Sequence, residues 1–151
     1  MSLFDSAEEH RPSKIRRYII TIVAGVVILF LALWYGLGLR FYKEDGTIHH
    51  FMNTVVAGNF PEAYKIWKPE PSYSLKDFQD DWGESGYYGP VHSYKVMHIG
   101  QEHNSSAAVI TVEVSPYSPF PQENDIVKQS KTKEIKLWVQ FSDQSISFPP
   151  F

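Results

Sequence analysis

The sequence predicts an α+β protein: a single N-terminal transmembrane helix, then about three helices packed on a curled antiparallel sheet. Three observations lead to this prediction. One stretch of the 151 residues is almost wholly apolar. The segment after it carries apolar residues at helical spacing, and the last part alternates apolar and polar residues with the period of a strand. The chain therefore divides into a cytoplasmic tail at 1–17, a transmembrane helix at 18–39 and an extracytoplasmic domain at 40–151.

The apolar stretch is predicted to span a membrane. It reads YIITIVAGVVILFLALWYGLGL and contains neither a charged residue nor a proline. As a helix it covers about 33 Å, which matches a hydrocarbon core of about 30 Å. Trp34 and Tyr35 place amphipathic rings at one end, where lipid headgroups lie. A cleaved signal peptide is the main alternative, but its apolar core is shorter, about 7 to 15 residues, and ends in small residues. We therefore expect an uncleaved anchor.

Charges on the two sides of this stretch predict its orientation. Four Lys or Arg residues lie before it and only Arg40 and Lys43 closely follow it, so the N-terminus is expected in the cytoplasm. The expected location is a bacterial inner membrane, with residues 40–151 in the periplasm and the lipid bilayer as a partner.

Small residues let a neighbouring helix approach closely. Ala24, Gly25 and Ala32 are therefore predicted contacts with other integral membrane subunits.

Composition argues against several functions. The net charge of −3 gives no basic footprint for nucleic acid. The chain has no cysteine, so disulfides, thiolate metal sites and cysteine nucleophiles are excluded. The apolar stretch carries no ionisable side chain with which to move ions or to hold a haem or pigment. No cofactor is expected.

Residues 47–58 are predicted to form the first helix of the domain. Thr47 is a suitable N-cap and Gly58 a suitable residue just past the C-terminus. The inward positions fall at helical spacing. They are Ile48, Phe51, Met52, Val55 and Val56.

Two further helices are predicted from their caps. Asn59 precedes a helix with a proline in its first turn, and Glu62 at N3 offers a capping box. Ser74 with Asp77 begins the next helix, which Gly83 ends. The side chains expected to face inward are Ala63, Tyr64 and Trp67 in the former and Leu75, Phe78 and Trp82 in the latter.

Strands are predicted at 91–99, 107–114, 135–141 and 145–148, where apolar and polar residues alternate. Asn104 and Ser105 suit the turn of a hairpin between the first two strands. Residues 115–133 are predicted to be a long polar connection.

Several stretches resemble the membrane-anchored members of the NTF2-like (cystatin-like cone) superfamily. They are GTIHHFMNTVVAGNFPEAYKIW, YSLKDFQDDWGESGYYGPVHSYKV, AAVITVEV and KEIKLWVQF. The first contains the A-G-[ND]-[FY] turn and the A-Y-x-x-[WL] helix of that superfamily. The resemblance covers residues 44–148 and implies a conical half-barrel, whose interior serves in different members as an enzyme site, a ligand site or a packed core.

Candidate proton-transfer residues do not converge in the sequence. They are His49, His50, Asp80, Asp81, His92, Tyr94, His98 and His103. His49 and His50 are expected to point away from the core as a solvated pair. His92 and His98 lie about 20 Å apart on an extended strand, too far to share a metal. Asp77, Asp80, Asp81 and Glu84 are expected to form a solvated acidic face. The chain is therefore not expected to be an enzyme.

Aromatic residues on connections are predicted partner contacts, because rings on stiff, proline-containing segments are common in interfaces. They are Tyr87, Tyr88, Tyr117, Phe120 and Phe151. The preferred hypothesis is a non-catalytic accessory subunit of a larger membrane complex, with a photosynthetic or respiratory complex as a guess that no residue specifies. The alternative is a membrane-anchored domain that binds or converts a small ligand. A core filled by Phe51, Trp67, Phe78, Trp82 and Val109 would favour the former, and a hollow one the latter.

Overall fold

The computed structural model describes residues 14–149, apart from the side chains at positions 37 and 38, and divides the chain into two units, Met1–Arg40 and Phe41–Phe151. The described residues of the first unit form one helix, α1, Lys14–Gly38. It is long and apolar enough to cross a membrane, and none of its apolar window is buried inside the protein. The helix begins at Lys14 and not at the predicted residue 18, so it includes basic residues that precede the apolar stretch. Thr21 Oγ1 donates to the Arg17 carbonyl at 3.0 Å within this early turn.

The second unit is an α+β domain, as predicted. Its helices are α2 (Tyr42–Val56), α3 (Phe60–Trp67), α4 (Leu75–Trp82) and the short α5 (Ile126–Gln129). Its strands are β1 (Ser93–Gly100), β2 (Ala107–Ser115), β3 (Lys133–Gln140) and β4 (Ile146–Ser147). The helix α5 interrupts the connection for which only irregular structure was predicted.

Helix α2 begins earlier than predicted, and Thr47 is not its cap. Glu44 and Asp45 lie in the first turn, where acidic side chains favour the positive end of the helix dipole. Thr47 lies one turn inside the helix, and its hydroxyl bonds to Gln144 on a distant turn at 2.9 Å. The predicted C-terminus is confirmed, since Gly58 follows the helix with φ of +72°, a conformation that glycine adopts without steric cost.

The caps of the next two helices are confirmed in their main features. The Asn59 side chain accepts from the Glu62 backbone N–H, while the Glu62 carboxylate pairs with Lys65 at 3.2 Å. Ser74 and Asp77 form the reciprocal capping box. The inward assignment of Leu75 is wrong, because its side chain is exposed in the first turn of α4.

The four strands form one antiparallel sheet in the order β1-β2-β3-β4. It is an uncurled meander, not the curled sheet that the sequence predicted. Curling needs bulges or bends that turn the strands, and the strand pairings contain a single irregularity, between Val96 and His98. Strand β4 pairs through only two residues. The predicted turn is confirmed at Asn104, which has φ of +61°.

The core lies between one face of the sheet and the helices α2, α3 and α4. On β2 the buried residues of this face alternate, at Ala108, Ile110, Val112 and Val114, as the pleat requires. The inward assignment of Val109 is therefore wrong, because the true inner set is shifted by one residue. Such a shift places a side chain on the opposite face of the sheet.

Candidate functional sites

The small residues for which the sequence predicts contacts with other membrane subunits lie on the surface of α1. Ala24, Gly25 and Ala32 are exposed, and a Cβ added to Gly25 would meet no atom of the protein. Gly25 and Ala32 are seven residues apart and share one side of the helix. Trp34 and Tyr35 are also exposed, and the Trp34 ring lies 5.9 Å from that of Phe30. These side chains are free to contact lipid or other helices.

A polar cluster that the sequence analysis missed joins the start of α2 to the turn between β3 and β4. The Gln144 amide donates from Nε2 to Glu44 Oε1 at 2.8 Å and accepts from the Thr47 hydroxyl at 2.9 Å. Glu44 is only 5 % exposed. Beside them the rings of Phe41 and Phe141 stack at 6.4 Å. We call Phe41, Glu44, Thr47, Phe141 and Gln144 the entry clamp, because the chain enters the domain here from α1.

No local pattern marks the entry clamp. Its two halves are about a hundred residues apart, and Gln144 has φ of +60°, a left-handed conformation in which Gly or Asn would be the usual signal. Glu44 resembles any acidic residue in a first helical turn. Only the pairing of the strands brings the two halves together.

The loops predicted to contact a partner lie together at the other end of the sheet. Lys133 at the start of β3 bonds to the Tyr87 carbonyl, with its ammonium 5.5 Å from the Tyr87 ring. The Ser93 hydroxyl donates to the Tyr117 carbonyl at 2.6 Å. An eight-residue strand such as β3 extends about 26 Å, so these loops are about that far from the entry clamp. We call this end, comprising residues 83–92 and 116–132, the loop end.

The loop end carries strongly exposed apolar side chains. Tyr87 is 71 % exposed, and Ile126 and Val127, which were not predicted contacts, are 78 % and 74 % exposed. In the sequence, Ile126 and Val127 could have been recognised as an aliphatic pair inside a polar connection. Tyr117 and Phe120 are half-buried, so they are only partly available to a partner.

Tyr88 serves the domain itself. It is half-buried, and its ring lies 5.2 Å from that of Trp82 and 5.6 Å from that of Phe148. Burial raises the pKa of its hydroxyl. The prediction that it contacts a partner therefore loses its basis, because the ring already covers the core. Phe151, the last predicted contact, lies outside the described residues.

Two of the candidate proton-transfer residues do meet. His49 Nδ1 lies 2.7 Å from Tyr94 Oη, which also donates to Asn53 Oδ1 at 2.9 Å. On its other side His49 Nε2 lies 3.4 Å from Asp45 Oδ1. Burial, followed by the charge of Asp45, raises the pKa of Tyr94. His49 and His50 are both exposed and so point away from the core, as expected. The hydrogen bond of His49 to Tyr94 fastens α2 to β1.

The other candidates stay apart. His50, His92, His98 and His103 are exposed, and residues 14–149 contain no group of three acidic or histidine residues suited to a metal. The predicted acidic face is only partly free. Asp80 pairs with Lys76 at 2.6 Å, while Asp81 Oδ2 accepts from the Tyr73 hydroxyl at 2.6 Å. Burial and this bond to Asp81 raise the pKa of Tyr73.

The core is filled with aromatic rings. The Phe51 ring lies 5.3 Å from that of Trp67, 6.1 Å from that of Phe78 and 5.1 Å from that of Trp82. All four side chains are buried. In the described part of the chain, the indole N–H of Trp82 is a buried side-chain donor without a hydrogen-bond partner. Trp82 also lines a cavity of about 30 Å³. A cavity of this size holds at most a water molecule or two.

A second cavity opens at the surface, beside the core residue Trp67. It is a groove of about 620 Å³ between the α3–α4 connection and the β3–β4 hairpin. None of the candidate proton-transfer residues lines it. A search against protein-family models, curated proteins and solved structures finds no match to this chain.

Proposed function

We propose that this chain is a non-catalytic, single-pass accessory subunit of a larger membrane protein complex. In this proposal α1 spans a bacterial inner membrane with its N-terminus in the cytoplasm, and the second unit is an NTF2-like domain in the periplasm. The more specific form of the proposal is that this complex is a photosynthetic or respiratory one.

The observation that carries the proposal is the surface of α1. A core helix of a soluble protein would be covered by the rest of its chain, but the apolar window of α1 is entirely exposed within this protein. Leaving such a helix in water is unfavourable by about 25 cal/mol for each Å² of apolar surface. Lipid and neighbouring helices are the surroundings that remove this cost. The filled core supports a role without chemistry in the interior of the domain.

The arrangement of the domain supports a division of contacts. The entry clamp fixes the start of α2, where the chain arrives from α1, whereas Tyr87, Ile126 and Val127 lie at the loop end. We infer that α1 contacts integral membrane subunits and that the loop end contacts a part of the complex outside the bilayer.

The topology is tested first. Because the chain has no cysteine, single cysteines at exposed Ser85 and at Ser6 can be labelled selectively. A membrane-impermeant maleimide applied to intact spheroplasts should label Ser85→Cys but not Ser6→Cys. Intact-mass measurement of the membrane-bound chain should include residues 1–39. Loss of those residues would identify α1 as a cleaved leader and overturn the proposal.

The partner contacts are tested by extraction in mild detergent and native mass spectrometry. The expected result is a stoichiometric complex, and a clean monomer from native membranes would contradict the proposal. Gly25→Leu places a bulky side chain on the small-residue side and should reduce recovery of the membrane subunits. Val27→Leu is the matched control, because it lies about 200° around the helix. Ile126→Ser should weaken the contact outside the bilayer without releasing α1 from the membrane.

A further inference from the structure

The groove of about 620 Å³ has the size of a ligand site. Its walls come from the α3–α4 connection on one side and from β3, β4 and the residues around them on the other. Ligand sites in proteins typically measure about 300–1,000 Å³. The residues that line the groove are different from the α1 and loop-end residues used in the proposed function.

Aromatic rings form the apolar part of the groove. Trp67, Tyr73, Trp138 and Phe148 all line it. The Trp67 ring lies 5.8 Å from that of Tyr73 and 5.0 Å from that of Phe148, so three of the rings belong to one packed cluster. Tyr73 is held further by its bond to Asp81. These rings are positioned before a ligand arrives, which lowers the entropic cost of binding.

Lys68 connects the two walls. Its backbone is left-handed with φ of +52°, and its ammonium donates to the Asp143 carbonyl in the β3–β4 turn. One end of the α3–α4 connection is thereby tied to the hairpin that forms the opposite wall. Lys68 is also the only cation among the residues that line the groove, where Glu70 is the only anion. The lining is therefore neutral in sum.

The polar groups of the lining are available to a ligand. The side chains of Glu70, Ser72 and Ser147 form no hydrogen bond with other residues of 14–149. The Gln140 side chain accepts from Ser106 through Oε1, which leaves its amide N–H₂ as a donor. The groove thus offers hydroxyl groups, an amide donor and a carboxylate acceptor close to aromatic rings.

We propose that this groove binds a neutral oligosaccharide. The C–H faces of pyranose rings pack on aromatic side chains, while their hydroxyl groups both donate and accept hydrogen bonds. A sugar hydroxyl can donate to Glu70, which only accepts, and accept from Gln140. A proline-rich peptide also suits aromatic grooves, but a proline provides a carbonyl acceptor and no N–H, so it has fewer groups than a sugar with which to donate to Glu70. A strongly ionic ligand would leave one of Lys68 and Glu70 unfavourably placed.

The test uses the full chain in lipid nanodiscs, so that no maltoside or glucoside detergent competes for the groove. The four tryptophans are labelled as 5-fluorotryptophan, and each ¹⁹F signal is assigned from its Trp→Phe variant. Chitotriose, cellotriose and maltotriose are titrated separately. At least one should shift the Trp138 signal in a saturable manner and leave the signal of Trp34, which lies on α1, unchanged.

Two variants locate the site. Glu70→Ala and Gln140→Ala should each weaken saccharide binding, followed by the Trp138 signal, at least tenfold, whereas Tyr87→Ala at the loop end should leave it unchanged. Near-UV circular dichroism verifies that each variant is folded. The proposal is overturned if none of the three sugars shifts Trp138 at millimolar concentration, or if a proline-rich peptide shifts it and the sugars do not. Neither outcome affects the proposed membrane-subunit role, which the topology and extraction experiments test.

Discussion

The entry clamp gives the sharpest prediction for the stability of the domain, through Gln144→Ala. The substitution removes the amide that donates to Glu44 and accepts from Thr47. A net hydrogen bond to a charged group contributes about 1.5–3 kcal/mol, and one between neutral groups about 0.5–1.5 kcal/mol. Glu44 is buried and would lose this donor. We therefore expect the free energy of unfolding of the domain to fall by about 2–4 kcal/mol.

The backbone at Gln144 allows the side-chain contribution to be separated from conformational strain. Its φ of +60° is unfavourable for alanine as well as for glutamine, by roughly 1–2 kcal/mol relative to a right-handed conformation. Gln144→Gly removes the same hydrogen bonds but also this strain. It should therefore be more stable than Gln144→Ala by about 1 kcal/mol, although still less stable than the unmodified protein.

The assay is urea unfolding of the full chain in nanodiscs, followed by near-UV circular dichroism of the aromatic core. Gln79→Ala is the matched control, since Gln79 is exposed on α4 and helix propensity makes alanine acceptable there. If Gln144→Ala unfolds at the same urea concentration as Gln79→Ala, the entry clamp contributes nothing to stability. Equal values for Gln144→Ala and Gln144→Gly would show instead that the left-handed backbone is not a cost.

Two further predictions concern the core and the α4 cap. Phe51→Ala should destabilise the domain by about 3–5 kcal/mol, because the ring is fully buried among other rings, while Tyr87→Ala should change the urea midpoint little; similar midpoints would contradict the packed core. Hydrogen bonds from the Ser74 side chain and, to a smaller extent, from its backbone lower the pKa of Asp77 in the folded protein. The stabilisation by ionised Asp77 is therefore complete above the unfolded pKa of about 3.9. It is lost as pH falls through the lower pKa of the folded protein. Asp77→Asn should therefore reduce the loss of stability on acidification below about pH 4, measured by urea unfolding at stepped pH, and an unchanged acid profile would rule out this linkage.

Local sequence signals predicted much of the fold. The apolar stretch predicted α1. Gly58 predicted where α2 ends, and Asn59 and Ser74 predicted where α3 and α4 begin. These features depend on hydrogen bonds or spacing within a few residues, so they are visible in the sequence. The start of α2 was missed because Thr47 has the chemistry of a cap, although its hydroxyl is used in a contact with Gln144.

The candidate sites were harder to predict, because each combines segments that are distant in the chain. His49 and Tyr94 are 45 residues apart in sequence, yet they lie within hydrogen-bonding distance. Tyr88 looked like an exposed ring on a glycine-rich loop, but it packs on Phe148, 60 residues later. A loop aromatic cannot be assigned to the core or to the surface without knowing where the loop returns.

The sequence by itself determined that an apolar helix of membrane-spanning length precedes an α+β domain without cysteine chemistry. It could do so because hydropathy, capping and side-chain periodicity are properties of neighbouring residues. The tertiary structure decided that the sheet is uncurled, that the core is filled, that the start of α2 is clamped to the β3–β4 turn, and that a groove opens beside β4. These features depend on strand register and on packing between residues far apart in the chain, where a shift of one residue exchanges the inner and outer faces of a strand.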